Sequence, residues 1–160
     1  MNYKEKMYSA FQAICKMEID ESKKIGMLTY LFSIEPNNWR VVGISIEAIK
    51  VFQQNGFQRR SKMGINRSHI KRRFDTYKEI MVKEANREFN NYDEWWTFYF
   101  ENDKTVIQTS SENMRKSGHS KIIEINNPNW SLFKSKGYAW NHGDAEIKLL
   151  RNLFDTHCSI

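Results

Sequence analysis

An α+β fold, a single mixed and helix-rich domain, is expected for this chain from three observations. Apolar residues recur at three- and four-residue intervals over 3–17, 21–32 and 144–154. Short apolar runs bounded by turn residues occupy the middle, and no repeat, low-complexity tract or linker interrupts the 160 residues.

The elements follow in order. Met7, Phe11, Ile14 and Met17, with Ala10 between, line one face of a helix over 3–17. Asp20 is a candidate N-cap for a second helix over 21–32, with Ile25, Leu28 and Phe32 inward. Glu35-Pro36-Asn37-Asn38 reads as a turn. Ser45 then caps a short helix bearing Ile46, Ile49 and Phe52, and Asn55-Gly56 supplies the left-handed residue that ends it. The helical period is lost over 57–73, where 63–70 reads as a short strand or extended segment, and a further helix is expected over 76–88. The stretch 92–100 holds Trp95, Trp96, Phe98, Tyr99 and Phe100 and must be largely buried, with Trp95 and Trp96 assigned to a core before a base-stacking role. Strands are expected over 104–108 and 122–125, a helix start at Ser110-Ser111-Glu112, a turn at Asn126-Asn127-Pro128-Asn129 and a closing helix over 144–154 with Ile147, Leu150 and Phe154 on one side.

Composition narrows the class. A chain of 160 residues can bury a core without staples, and 14% aromatic residues argue against disorder. No apolar run approaches the ~20 residues of a bilayer span, and the start MNYKEKMYSAF lacks a signal-peptide core, so the expectation is a cytoplasmic protein with no membrane partner. Cys15 and Cys158 are too few and too far apart for a zinc cluster or disulfide framework, and are read as structural thiols.

The formal charge of +6 is unevenly spread. Residues 50–74 contain Lys50, Arg59, Arg60, Lys62, Arg67, Lys71, Arg72 and Arg73 and no acid, which leaves 17 basic and 19 acidic residues elsewhere, a net of −2. Such a segment suits a surface facing a polyanion, although a solvated basic loop has the same composition.

Two pieces of the chain resemble the halves of an HNH nuclease motif, the ββα-metal or His-Me finger. The first is Gly64-Ile65-Asn66-Arg67-Ser68-His69-Ile70. The second runs from Asp103-Lys104-Thr105-Val106-Ile107-Gln108-Thr109 through Ser110-Ser111-Glu112-Asn113-Met114 to Arg115-Lys116-Ser117. The resemblance implies a short antiparallel ββα-like element within 57–125, holding a helical, aromatic insertion, between a helical N-terminal region (residues 1–56) and a C-terminal helix region (residues 126–160). It assigns His69 as general base and Asn113 as catalytic metal ligand. Ser68 stands where the family has a metal-binding Asp, so Mg²⁺ would take Asn113, Ser68 and a further acid such as Asp103, with Glu112 and Asp75 as alternatives.

The chemistry suits these residue types. Phosphodiester hydrolysis needs an activated water and a cation to offset charge on the phosphate. A neutral imidazole accepts a proton near neutral pH, and an amide oxygen is a hard ligand for Mg²⁺. Arg59, Arg60, Lys62, Arg67, Lys71, Arg72 and Arg73 would then contact phosphates. The implied function is a metal-dependent endonuclease of restriction or phage type, acting on DNA in preference to RNA, with a homodimer where both strands are cut. Two alternatives remain open: a nucleic-acid-binding protein that uses 50–74 without cleavage, and a metal-independent RNase pairing His69 with His119. Gly137-Tyr138-Ala139-Trp140-Asn141-His142 reads as a packed turn, with His142 a further site candidate. On the nuclease reading, plasmid DNA is nicked in Mg²⁺, and His69→Ala and Asn113→Ala each abolish nicking. Salt-sensitive binding without cleavage across several divalent metals would rule that reading out.

Overall fold

The computed structural model describes residues 1–33, 35–114, 121–136 and 139–158 and is α+β, with the backbone gathered into two compact units. The first comprises Met1–Asn38 and Lys71–Asp103, the second Trp39–Ile70 and Lys104–Ile160. The division cuts the expected helical N-terminal region after Asn38. It also assigns the helical, aromatic stretch between the two motif halves to the same unit as the N-terminal helices.

In the first unit, helix α1 (Tyr3–Lys16) starts at a capping box in which the Asn2 side chain accepts from Glu5 N and the Glu5 carboxylate accepts from Asn2 N. Met7, Phe11 and Ile14 recur on one face and are buried. Helix α2 (Glu21–Ser33) buries Ile25, Leu28 and Phe32 as their spacing requires. The chain later returns as α4 (Arg73–Ala85) and α5 (Tyr92–Asn102), both packed on α1. Their shared core is aromatic. Phe32 stacks on Tyr99 with centroids 3.6 Å apart, while Trp95 lies 5.2 Å from Phe11 and 5.6 Å from Phe32. Trp95 is fully buried, as expected, with Trp96 packed at the core's edge. Burial raises the Tyr77 hydroxyl to a pKa of about 12.

In the second unit, strand β1 (Arg40–Ser45) leads directly into helix α3 (Ile46–Gln54), whose first turn is capped by Ser45 Oγ accepting from Ala48 N at 3.1 Å. Strands β2 (Ile65–His69) and β3 (Lys104–Thr109) are antiparallel, and β3 passes into the short helix α6 (Ser110–Met114), so the ββα-like order is present. Strand β4 (Ile122–Glu124) completes a mixed sheet of order β2-β3-β1-β4, in which β1 is parallel to β3 and antiparallel to β4. A hairpin of β5 (Ser135–Lys136) and β6 (Ala139–Trp140) follows, then helix α7 (Asp144–His157). The core joins Val41, Ile44 and Ile107 of the sheet to Ile49 and Phe52 of α3 and Leu150 of α7.

Strand β1 is the element that sequence patterning passes over. Its Val-Val-Gly-Ile run is too short to show a period, yet it occupies the sheet interior. A Cβ on Gly43 would stand 2.7 Å from Ile122 Cγ2 and 3.1 Å from the Ile123 carbonyl oxygen, so β4 can lie where it does only against glycine. Gly43→Ala should therefore lower unfolding stability by roughly 1–3 kcal/mol, the usual cost of overpacking, read from the urea midpoint. An unmoved midpoint would show that β4 shifts without penalty.

Candidate nucleic-acid interface

The register of β2 on β3 decides the fate of the motif residues. His69 pairs with Thr105 at the start of β3, whereas Ile65 pairs with Thr109 at its end. Asn113 lies beyond that end, on α6, where Ser110 N donates to the Gly64 carbonyl. Four residue steps along the strand separate the two levels, roughly 13 Å at the usual rise. The structure thus keeps His69 and Asn113 apart, and Asn113 is exposed.

The residues named for Mg²⁺ are placed on several elements of the two units. Ser68 pairs with Val106 and, as the neighbour of His69 in a strand, faces the opposite side of the sheet. Its Oγ is buried without a hydrogen-bond partner among the described residues. Asp103 belongs to the first unit, is 2% exposed and ends α5 as its C-cap. Glu112 serves the protein itself: its carboxylate accepts from Ser45 Oγ at 2.7 Å and from Thr109 N at 2.8 Å, while Glu112 N donates to Thr109 Oγ1. This is the capping box of α6. Asp75, in the first turn of α4, lies 3.8 Å from Arg72 Nε. Among the described residues no three His, Cys, Asp or Glu side chains form a metal-binding group. His119 lies outside the described residues.

The basic residues are divided between the two units. Lys71, Arg72 and Arg73 fall in the first unit, where Lys71 pairs with Glu79 and reaches Asn102 Oδ1 at 3.0 Å. Arg72 is a surface residue, and Arg73 acts on Tyr77 and Tyr99, partly offsetting the rise that burial causes in their pKa values. Lys50 pairs with Glu47 one turn away on α3.

Arg67 corrects the expectation most directly, because it is 6% exposed and cannot meet a phosphate. Its guanidinium donates to Ser135 Oγ at 2.9 Å, to the Phe133 carbonyl at 3.3 Å and to the Ala139 carbonyl at 3.4 Å. The same group lies 5.0 Å from the ring centroids of both Trp39 and Trp140. The alternation of β2 carries the signal for this inward position, since Ile65, Arg67 and His69 share one face.

What remains of the segment is the loop 57–64. Helix α3 ends in a Schellman arrangement, with Phe57 N donating to the Phe52 carbonyl at 2.7 Å and Gly56 N to that of Gln53. Gly56, Phe57, Lys62 and Gly64 all take positive φ, so the loop curls tightly. The Phe57 carbonyl is held by His142 Nε2 at 2.8 Å, and the His142 ring stacks on Phe52. His142 is thereby an anchor for the loop. Arg59 lies over Trp140 at 3.8 Å and donates to its carbonyl at 3.3 Å, and partial burial lowers the pKa of its guanidinium. Arg60 and Lys62 are exposed and form no ion pair among the described residues.

Gln58, Arg59, Arg60, Ser61, Trp140 and His142 line an open groove of about 450 Å³. Sequence reasoning found its cations and missed Trp39 and Trp140, which lie 101 residues apart and are joined through Arg67.

No family model, curated protein or solved structure matches the chain. Replacing Arg67 by Ala would strand its acceptors and should lower stability by on the order of 3 kcal/mol, whereas Arg72→Ala, at an exposed ion pair, should change it by less than about 1 kcal/mol. Equal urea midpoints for the two variants would contradict the structural role of Arg67.

Proposed function

We propose that this protein binds nucleic acid through the loop 57–64, with Arg59, Arg60 and Lys62 as the phosphate-facing cations. The observation that carries this reading is the concentration of three exposed cations on one tightly curled loop, next to an open groove with a polar lining. The sequence-wide charge excess alone would not support it, because Arg67 is buried and Lys50 and Lys71 are ion-paired within the protein.

The physical case is electrostatic. Cations without protein counter-charges attract a polyanion and release its condensed counterions, so binding weakens as salt rises. The loop is held at both ends by the protein's own bonds, with Phe57 fixed by His142 and Gly64 by Ser110. Its cations are therefore presented with little ordering left to complete on binding, which lowers the entropy cost.

The strand-strand-helix order of β2, β3 and α6 favours a second reading, in which the bound strand is also cleaved with His69 as base. The separation of His69 from Asn113 along β3, and the capping role of Glu112, make binding the better supported of the two.

Binding is tested by fluorescence anisotropy with a labelled oligonucleotide. The double variant Arg60→Glu with Lys62→Glu should weaken binding at least ten-fold at low salt and flatten the salt dependence by about two counterions. Absence of salt-sensitive binding by the unmodified protein would overturn the reading. An oligonucleotide that stays intact in both Mg²⁺ and EDTA would favour binding alone over the second reading.

A further inference from the structure

Four planar groups alternate in the second unit. The Arg67 guanidinium lies 5.0 Å from the ring centroids of both Trp39 and Trp140, and Arg59 lies over Trp140 at 3.8 Å. His69 sets its ring edge-on to Trp39, with centroids 4.8 Å apart. The cluster thus runs from half-buried Trp39 and His69, through buried Arg67 and Trp140, to the exposed Arg59 that lines the groove.

The two ends of such a cluster are not equivalent. Trp140 is 8% exposed, so little of its ring is open to a ligand. A guanidinium is planar and weakly hydrated, and it stacks on aromatic surfaces from either side. Arg59 uses one side on Trp140 and borders the groove with the rest of its surface, beside Gln58, Ser61 and His142. An aromatic ring laid on Arg59 would extend the existing alternation by one member. The groove's volume of about 450 Å³ falls within the ~300–1,000 Å³ usual for small-molecule sites, which is room for one nucleoside.

We propose that the groove takes single-stranded nucleic acid, stacking one unpaired base on Arg59 while Arg60 and Lys62 hold the adjoining phosphates. This rests on the nucleic-acid reading above and names its substrate class. A base within a duplex has both faces covered by its neighbours and presents only its edge, so it cannot occupy the position over Arg59. An unpaired base has a bare face, and stacking on planar side chains accepts any base.

The test uses three fluorescein-labelled probes of about 12 nucleotides: a single strand, the same strand in a duplex, and an abasic strand that keeps the phosphates without the bases. Anisotropy is read at ~50 mM and ~200 mM salt. The proposal expects the single strand to bind about ten-fold more tightly than the duplex and than the abasic strand. Arg59→Lys keeps the charge and loses the plane, and should remove that preference by bringing single-strand affinity down to the duplex value. Lys62→Ala should weaken single-strand and duplex binding by the same factor. Equal affinity for single strand and duplex, or a preference that survives Arg59→Lys, would overturn the single-strand proposal and leave general nucleic-acid binding standing. Failure of all three probes to bind would overturn both. Should Arg59→Lys not fold, the abasic probe on the unmodified protein decides the same question, because it removes the stacking partner from the other side.

Discussion

The second unit depends on one buried charge. Arg67 sits in the middle of β2 with its guanidinium 5.0 Å from the centroids of two tryptophan rings and its N–H groups directed at a serine hydroxyl and backbone carbonyls. A charge taken out of water is tolerated only when its hydrogen-bonding groups are satisfied, so the backbone around it must bring acceptors to it. Phe133 meets that demand at a cost: it adopts a positive φ of 54°, which bulky residues avoid. Its carbonyl accepts from Arg67, and its N–H donates to Oε1 of the buried Glu146 at 3.0 Å. The Phe133 backbone is thus held between the Arg67 guanidinium and the Glu146 carboxyl group, which ties β2 to α7. Trp39, also at positive φ, has its carbonyl held by Thr105 Oγ1 at 3.0 Å. Strain of this kind persists where the surroundings over-determine it.

That arrangement sets the candidate interface. Arg67 packs near Trp140, and Trp140 in turn supports Arg59. The loop that carries Arg59 is pinned at Phe57 by His142, which is itself stacked on Phe52 of the core. The exposed cations therefore stand on a rigid base built from the interior outward, which is how a surface loop gains enough definition to select a ligand.

Much of the fold was legible in the sequence. The spacing of Met7, Phe11 and Ile14, the Ser45 cap, the Asn55-Gly56 stop and the extended stretches on either side of the aromatic helix all correspond to observed elements, because each is set by local geometry or a local hydrogen bond. The central strand β1 was not, since a short run such as Val41-Val42-Gly43-Ile44 has the same pattern in a strand, a loop or a buried turn. The candidate site was legible only to a degree. Its cations were visible as a charge run, while its tryptophans carried no signal that paired them with Arg59 or Arg67. His69 and Asn113 lay in a plausible order for a nuclease, yet proximity along β3 depends on strand register, and a motif does not state its register.

By itself, the sequence determined the class of fold, most element boundaries and the fact that eight cations cluster within 50–74, because periodicity, capping and charge are properties of neighbouring residues. Only the tertiary structure decided what each cation does. Arg67 went to the interior because it alternates with Ile65 on the inward face of β2, and Lys71 through Arg73 went to the first unit with α4. Arg59, Arg60 and Lys62 stayed outside because the curled loop after α3 carries them there. The reason is general: a residue's exposure and partners are fixed by contacts between segments distant in sequence, and those contacts exist only once the chain has folded.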